Sequence, residues 1–180
     1  MSRIAKISLG AAVCIGVFLI SLPTLVHKAG LHPDYSGPTV DLPGKRALII
    51  TTSHGVLAPV GETEGDPTGV AISEMTHPYY TFLDGGMDVD LASIKGGQIP
   101  IDPMTMNRVA KTAEDERFLH DSIAMSRAKH SIPIADVDIT AYDIVFISGG
   151  WGASYDLAQS PVLGEMVSDA YYGDKDAIIG

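Results

Sequence analysis

The sequence predicts one α/β domain with an open, mostly parallel sheet, preceded by a single apolar N-terminal helix. The first reason is an alternation along residues 45–180 between strand-like apolar runs and segments whose apolar residues recur at helical spacing. The second is that the runs ALII, IVFI and AII contain no polar residue. Unbroken runs of this kind are typical of strands that are buried on both faces of a parallel sheet.

Composition supports a folded domain and argues against one class of partner. The chain has 180 residues, 46% of them apolar, which suffices for a core and a short additional segment. The net charge is −10, although residues 1–30 carry three basic residues and no acidic one. The rest of the chain is therefore strongly acidic and should repel a phosphate backbone, so we expect no binding to nucleic acid.

The N-terminal residues 1–28 are predicted to be an uncleaved membrane anchor. Residues 7–26 form a run of 20 uncharged residues, and a helix of that length spans about 30 Å, the thickness of a bilayer core. Arg3 and Lys6 favour a cytoplasmic N-terminus and a periplasmic domain. His27 fits a signal-peptidase site poorly, and secretion after cleavage is the alternative.

Proline and glycine mark the end of this segment. Pro23 is expected to kink or end the helix near its outer edge. Residues 29–44 contain several further prolines and glycines and are predicted to be a linker to the domain at 45–180.

The first half of the domain predicts a strand, a helix and a strand. Lys45–Ser53 is a β-branched apolar run that indicates a central strand, and a loop rich in glycine and proline follows it. The next segment ends at Gly85-Gly86 and has helical spacing of Ile72, Met75, Tyr79, Phe82 and Leu83. The run MDVDLASI then predicts a second strand.

The second half repeats the alternation after a long connection. A helix is predicted over Ala113–Lys129, and its inner face should comprise Phe118, Leu119, Ile123 and Ala124. A strand is predicted at Tyr142–Ser148 and another in DAIIG at the last five residues. The helix between them begins at Pro161 and has an apolar stripe of Val162, Leu163, Met166, Val167 and Ala170.

Ligands of such folds bind beyond the carboxyl ends of the strands, which here include Thr52, Ser148 and Gly180. Glu74 lies in an otherwise apolar helix that must pack near these ends. A carboxyl group removed from water there could give or take a proton near neutral pH. An ordinary exposed helix glutamate fits the same pattern equally well.

The segment SGGWG supplies the second candidate group. Gly149 and Gly150 directly follow a buried strand, so the backbone can turn sharply and present N–H groups to an oxyanion. A plain strand-to-helix turn is the alternative. Trp151 is expected either to line a pocket or to cover the edge of the sheet.

The sequence lacks the motifs of several other kinds of site. The six histidines show no HExxH or other paired spacing, so no metal site is predicted. No phosphate-binding, dinucleotide-binding or serine-hydrolase motif occurs, and no cofactor is predicted. The single cysteine, Cys14, lies within the apolar N-terminal run, which rules out a disulfide framework.

Three segments together resemble a known family. The segments TGVAISEMTHPYYTFLDGGMDVDLAS, GGQIPIDP and ADVDITAYDIVFISGGWGASYDL are similar to the ThiJ/PfpI family of the class I glutamine-amidotransferase-like superfamily. The most similar subgroup is the Hsp-type chaperones that are also glutathione-independent glyoxalases, or glyoxalase III. The resemblance extends over residues 45–180.

This resemblance implies a flavodoxin-like sandwich with a cysteine nucleophile on a sharp bend after a strand like DAIIG. Glu74 matches the glutamate that shares a proton with the thiol. Gly149 and Gly150 match the backbone oxyanion donors. Many relatives have a histidine at the position of Trp151.

The resemblance also implies an activity. The parent protein is expected to convert a small reactive aldehyde, such as methylglyoxal to lactate. The cysteine expected after the last strand is not among the 180 residues, so the chain is expected to be truncated before the nucleophile. It is also expected to be inactive, since Cys14 lies in the membrane segment and cannot substitute. One alternative is a holding chaperone with misfolded-protein clients or a non-catalytic binding module on the same fold. Another is a glutamine amidotransferase or a peptidase, and a homodimer is a further expectation.

Overall fold

The computed structural model describes residues 3–30, 37–173 and 178–180, and these form two compact units. One unit contains helix α1 (Arg3–Lys28), which continues through Pro23 to Lys28. The expectation that Pro23 ends this helix is therefore wrong, and the alternative, a kink at Pro23, stays a prediction. By length and composition α1 is suited to cross a membrane, although a signal sequence would meet the same criterion.

The second unit is built on a five-stranded sheet, in which every pair of neighbouring strands is parallel. Its strands lie in the order β5-β4-β1-β6-β7. Their bounds are β1 Arg46–Thr51, β4 Asp88–Ser93, β5 Ile132–Pro133, β6 Ile144–Ile147 and β7 Ile178–Ile179. The predicted open parallel sheet is confirmed.

Helices flank this sheet. They are α2 (Ile72–Asp84), α3 (Ala113–His120), α4 (Ser122–Lys129), α5 (Ala153–Asp156) and α6 (Pro161–Tyr172). Short 3-10 helices lie at Pro103–Met106, Ile134–Asp136 and Ile139–Ala141. The loop after β1 contains a small antiparallel pair, β2 (Val56–Leu57) and β3 (Asp66–Pro67), which the sequence did not indicate.

Strand β1 lies between two apolar cores and contributes side chains to both. Its side chains alternate between the faces of the sheet, as the period of a strand requires. Ala47 and Ile49 pack in the core that contains buried residues of α2, α3 and α4. Leu48 and Ile50 pack in the other core with Leu163 and other residues of α6. The unbroken ALII run is therefore buried on both faces, as predicted.

Two details of the helices differ from prediction. The helix expected over Ala113–Lys129 is broken at Asp121, whose carboxylate accepts hydrogen bonds from the N–H groups of Ile123 and Ala124. This capping starts a second helix and turns Ile123 outwards, so that its side chain is 67% exposed. Val162, expected on the inner stripe of α6, is also exposed, whereas the next residue, Leu163, is buried.

Helix α3 begins at a buried carboxylate. Asp115 is fully buried and accepts a hydrogen bond from the backbone N–H of Thr112 at 2.8 Å. The Thr112 hydroxyl accepts in return from the Asp115 N–H, which completes a capping box. The Thr76 hydroxyl of α2 also donates to Asp115 at 2.5 Å. One carboxylate therefore joins the start of α3 to the side of α2.

Replacing Asp115 with alanine should lower the free energy of unfolding by about 2–4 kcal/mol. The substitution removes a helix cap and leaves the buried Thr76 hydroxyl without an acceptor, and each loss costs roughly 1–2 kcal/mol. Urea unfolding of the full chain measures the change. Asp169→Ala, the same change at an exposed position of α6, is the control and should cost less than about 0.5 kcal/mol. Equal costs for the two variants would contradict this account of Asp115.

Candidate functional site

The carboxyl ends of the strands meet at one edge of the sheet, and the chain segments beyond them form the candidate site. The N–H of Ser148 donates to the Ile50 carbonyl at 2.9 Å, which holds the end of β6 beside β1. The N–H of Ile147 donates to the Gly180 carbonyl at 2.9 Å, and the N–H of Gly180 donates to the Val145 carbonyl at 3.0 Å. Gly180 therefore lies beside the end of β6, at the edge where the sequence placed it.

The N-terminus of α2 is held at this edge by the 3-10 helix at Pro103–Met106 and by the loop after β6. Its Ala71 cap position has no side chain that can cap the helix. Instead the Ile72 N–H donates to the Thr105 hydroxyl at 3.1 Å, and the Ala71 N–H donates to the Gly149 carbonyl at 3.3 Å. These bonds satisfy N–H groups that a helix N-terminus leaves free, and they fix the first turn of α2 against the loop after β6.

Glu74 lies in that first turn, and its carboxylate lies beside Gly149. A Cβ atom built on Gly149 would be 3.6 Å from the Glu74 Oε2 atom. The hydroxyl of buried Ser148 donates to the backbone carbonyl of Glu74 at 3.0 Å. The structure therefore brings the predicted acid–base residue and the predicted oxyanion loop together.

Of the two alternatives that the sequence left open for Glu74, a carboxyl group removed from water and an exposed helix glutamate, the structure shows the exposed one. The side chain is exposed, whereas the next residue, Met75, is fully buried against the sheet. The reason is geometric: Glu74 projects from the end of α2 at the rim of the sheet, while Met75 projects from the face that covers it.

The backbone N–H groups of Gly149 and Gly150 make no hydrogen bond to any residue in the described part of the chain. They follow the end of β6, in the loop beside the Glu74 carboxylate. Free backbone N–H groups next to a carboxylate can stabilise a negative oxygen, while the carboxylate transfers a proton. This pair of functions is what the geometry can provide.

Gly150 is required by close approach of two backbone segments. Its φ is +130°, and an added Cβ would lie 2.5 Å from the Ala71 nitrogen and 2.6 Å from the Gly69 carbonyl oxygen. A side chain here would therefore push the loop after β6 away from the start of α2.

Trp151 follows directly, and its side chain is 62% exposed. Its carbonyl accepts a hydrogen bond from the Ser154 hydroxyl at 2.7 Å, which shapes the turn into α5. An exposed indole at this edge is open to a ligand, and its role in substrate contact stays a prediction.

Asp156 is a residue of this edge that the sequence analysis missed. Its carboxylate accepts hydrogen bonds from the Thr52 hydroxyl at 2.7 Å and from the Ser53 N–H at 2.8 Å. It thereby ties α5 to the loop after β1. An aspartate four residues beyond a glycine turn has no distinctive sequence signal, because its partners lie about a hundred residues earlier in the chain.

His54 has a structural contact at the same edge. Its ring stacks on Tyr155 with 4.2 Å between the ring centroids and 5° between the planes. The Tyr155 hydroxyl donates to the Ala58 carbonyl at 2.7 Å, which fixes the stack in place. These contacts hold the His54 ring in place within the loop after β1.

The described residues contain no group of three or more His, Cys, Asp or Glu side chains arranged to hold a metal ion. Cys14 is an exposed residue of α1. The chemistry that the described edge offers is therefore that of a carboxylate, backbone N–H groups and hydroxyl groups.

Comparison with known proteins places these features in context. No protein-family model matches the chain. The chain is 28% identical over 130 residues to the glutathione-independent glyoxalase HSP31 of Saccharomyces cerevisiae, a match that covers 71% of this chain and 53% of the relative. The chain thus spans about half the length of the curated relatives it matches.

Solved structures agree in fold. The Rapid Encystment Protein 24 kDa of Francisella tularensis has a TM-score of 0.67 and 34% identity, with 76% of this chain and 57% of that chain covered. Glyoxalase III of Candida albicans has a TM-score of 0.63 and 26% identity, with 75% and 55% covered. The flavodoxin-like α/β fold expected from the resemblance is thereby supported.

Replacing Gly150 with alanine should lower the free energy of unfolding by about 1–3 kcal/mol, because the new Cβ forces two backbone segments apart. Thermal or urea unfolding measures the loss. Gly164→Ala is the matched control, since Gly164 lies in α6 and a Cβ there meets nothing within 4 Å. The control should be neutral or stabilising by about 0.5–1 kcal/mol, as expected for Gly to Ala in a helix. A neutral Gly150→Ala variant would show that the two segments are not tightly packed.

Proposed function

Because the homologues of this chain are proteins of the glyoxalase III/HSP31 family, within the DJ-1/ThiJ/PfpI superfamily, we propose that its site serves a glyoxalase III-type reaction on a small aldehyde. The observation that carries the proposal is that the Glu74 carboxylate lies beside Gly149, and that the N–H groups of Gly149 and Gly150 make no hydrogen bond within the described residues. The relatives are named glyoxalases, which favours this activity over the amidotransferase and peptidase alternatives.

The proposed reaction converts methylglyoxal and water into lactate. A cysteine thiolate attacks the aldehyde carbon and forms a hemithioacetal, whose oxyanion accepts hydrogen bonds from the N–H groups of Gly149 and Gly150. Glu74 removes the proton from this carbon and returns a proton to the neighbouring carbon, which produces a thioester of lactate. Water hydrolyses the thioester and releases the thiolate. One carbon is oxidised and its neighbour reduced, so the overall reaction needs no external oxidant.

The nucleophile of this proposal is the cysteine that the resemblance places directly after the strand corresponding to β7. The position of Gly180 supports this placement, because its hydrogen bonds to β6 hold the end of β7 at the same edge as Gly149. A residue that follows such a strand end is in the region where parallel α/β folds bind their ligands. The activity is proposed for a protein that includes that cysteine, and the chain described here supplies the acid–base and oxyanion groups.

Replacing Glu74 with glutamine in a protein that contains this chain and the proposed cysteine, hereafter the complete protein, should lower turnover of methylglyoxal about 100-fold or more, because the amide cannot transfer the proton. Lactate formation measures the rate. Glu165→Gln is the matched control, since Glu165 is an exposed helix glutamate of α6, and it should leave the rate unchanged. Full activity in the Glu74→Gln protein would overturn the assignment of Glu74. A complete protein that forms no lactate would overturn the proposed function itself.

We further propose that α1 anchors the chain in a membrane. The support is its length and apolar composition over Ser8–Lys28. Secretion after cleavage remains the alternative, since one N-terminal helix of this kind also fits a signal sequence.

Extraction of cell membranes with alkaline carbonate should leave the full-length chain in the membrane pellet. Val17→Lys places a charge in the middle of α1, which costs roughly 2.5–3.5 kcal/mol on insertion, and should move much of the chain to the soluble fraction. Val40→Lys, at an exposed position beyond the helix, is the control and should stay in the pellet. A soluble product shortened at its N-terminus would contradict the anchor and support secretion.

A further inference from the structure

A proline interrupts the hydrogen bonding of α2 one turn after Glu74. Pro78 lies within the helix and has no backbone N–H, so it cannot donate to the carbonyl of the residue four positions earlier. That residue is Glu74. The carbonyl of the candidate acid–base residue therefore lacks the donor that the helix would normally provide.

The hydroxyl of Ser148 occupies the position of this missing donor. Its Oγ donates to the Glu74 carbonyl at 3.0 Å, and Ser148 is fully buried. The backbone of Ser148 is itself fixed, since its N–H donates to the Ile50 carbonyl of β1 at 2.9 Å. Glu74 is thus bonded through its backbone to the central strands of the sheet.

A second hydrogen bond also joins α2 to the loop after β6. The Ala71 N–H donates to the Gly149 carbonyl at 3.3 Å, so α2 and the loop after β6 are joined at two consecutive loop residues. The Glu74 carboxylate lies beside Gly149, the second of these two loop residues. The distance from the carboxylate to the Gly149 and Gly150 N–H groups therefore depends on the position of the Glu74 backbone.

We propose that Pro78 and Ser148 act as a pair that positions Glu74 against the oxyanion loop, Pro78 by leaving the carbonyl free and Ser148 by binding it. The inference deepens the proposed function and rests on it for the catalytic meaning of the contact. Ser148 and Pro78 are positioning residues, because they act on the reaction only through Glu74. An ordinary helix without the proline would satisfy the Glu74 carbonyl internally and leave α2 without this bond to β6.

A double-mutant cycle on the full chain tests the pair directly. Ser148→Ala leaves the Glu74 carbonyl without a donor and should lower the urea midpoint clearly. In a Pro78→Ala background the alanine N–H can donate to the same carbonyl, so Ser148→Ala should lower the midpoint by less than half as much. Equal shifts in both backgrounds would overturn the proposal.

A matched control separates this coupling from the general cost of losing a buried hydroxyl. Ser131 is also buried, and its hydroxyl donates to the Gly97 carbonyl at 2.7 Å, away from α2. Ser131→Ala should lower the urea midpoint by the same amount whether residue 78 is proline or alanine. The proposal would also be overturned if the change from proline to alanine at residue 78 altered the midpoint shift of Ser131→Ala as much as that of Ser148→Ala.

The position of the carboxylate can be read by nuclear magnetic resonance. In the ¹⁵N-labelled chain, Glu74→Gln should shift the backbone amide signals of Gly149 and Gly150, because the carboxylate lies against Gly149. In a Ser148→Ala background the same substitution should shift them by less than half as much. Undiminished shifts would show that Ser148 does not position Glu74 and would overturn the proposal.

Turnover by the complete protein distinguishes a failure of this inference from a failure of the proposed function. Ser148→Ala should lower kcat for methylglyoxal about tenfold with little change in KM, since a misplaced base slows the chemical step. Unchanged kcat in an active protein would overturn the positioning role. A complete protein with no activity would refute the proposed function alone, and the unfolding cycle and amide shifts would still decide whether Pro78 and Ser148 position Glu74.

Discussion

The candidate site depends on the close approach of two backbone segments, residues 69–71 before α2 and the loop after β6. Gly150 allows this approach, because a Cβ atom there would lie 2.5 Å from the Ala71 nitrogen. Gly69 allows a similar approach on its other side, where a Cβ would lie 2.0 Å from the Pro100 carbonyl oxygen. Since both contacts are between backbones, side-chain repacking cannot relieve them. The first turn of α2, which carries Glu74, is therefore fixed at the carboxyl edge of the sheet.

This arrangement assigns different parts of the chemistry to different elements. Helix α2 provides a carboxylate, and the loop after β6 provides N–H groups, so each can be fixed by its own packing. Hydrogen bonds then set their mutual position: the Ser148 hydroxyl bonds to the Glu74 carbonyl, and the Gly149 carbonyl bonds to the Ala71 N–H. Groups held in this way need little reorganisation when charge develops on a bound oxygen. The proposed glyoxalase chemistry requires that property, and the shared fold with Candida albicans glyoxalase III is consistent with it.

The elements that the sequence predicted well are those with long periodic signals. Strand β1 and helix α2 were recognised because apolar residues repeat over several turns or fill an unbroken run. The errors arose where a local interaction competed with the pattern. Asp121 caps a new helix and interrupts an otherwise continuous helical segment. Strand β5 has only two residues, which is too short for any period to be visible.

The sequence by itself determined the fold class and the identity of the candidate residues Glu74, Gly149 and Gly150, because periodicity and glycine content are local properties of the chain. Only the tertiary structure decided that Glu74 is exposed at the rim of the sheet and that Ser148 replaces the donor missing at Pro78. It also decided that Asp156 binds the loop after β1. The physical reason is that these hydrogen bonds join residues 74 or more positions apart, and their geometry exists only after the parallel strands have aligned.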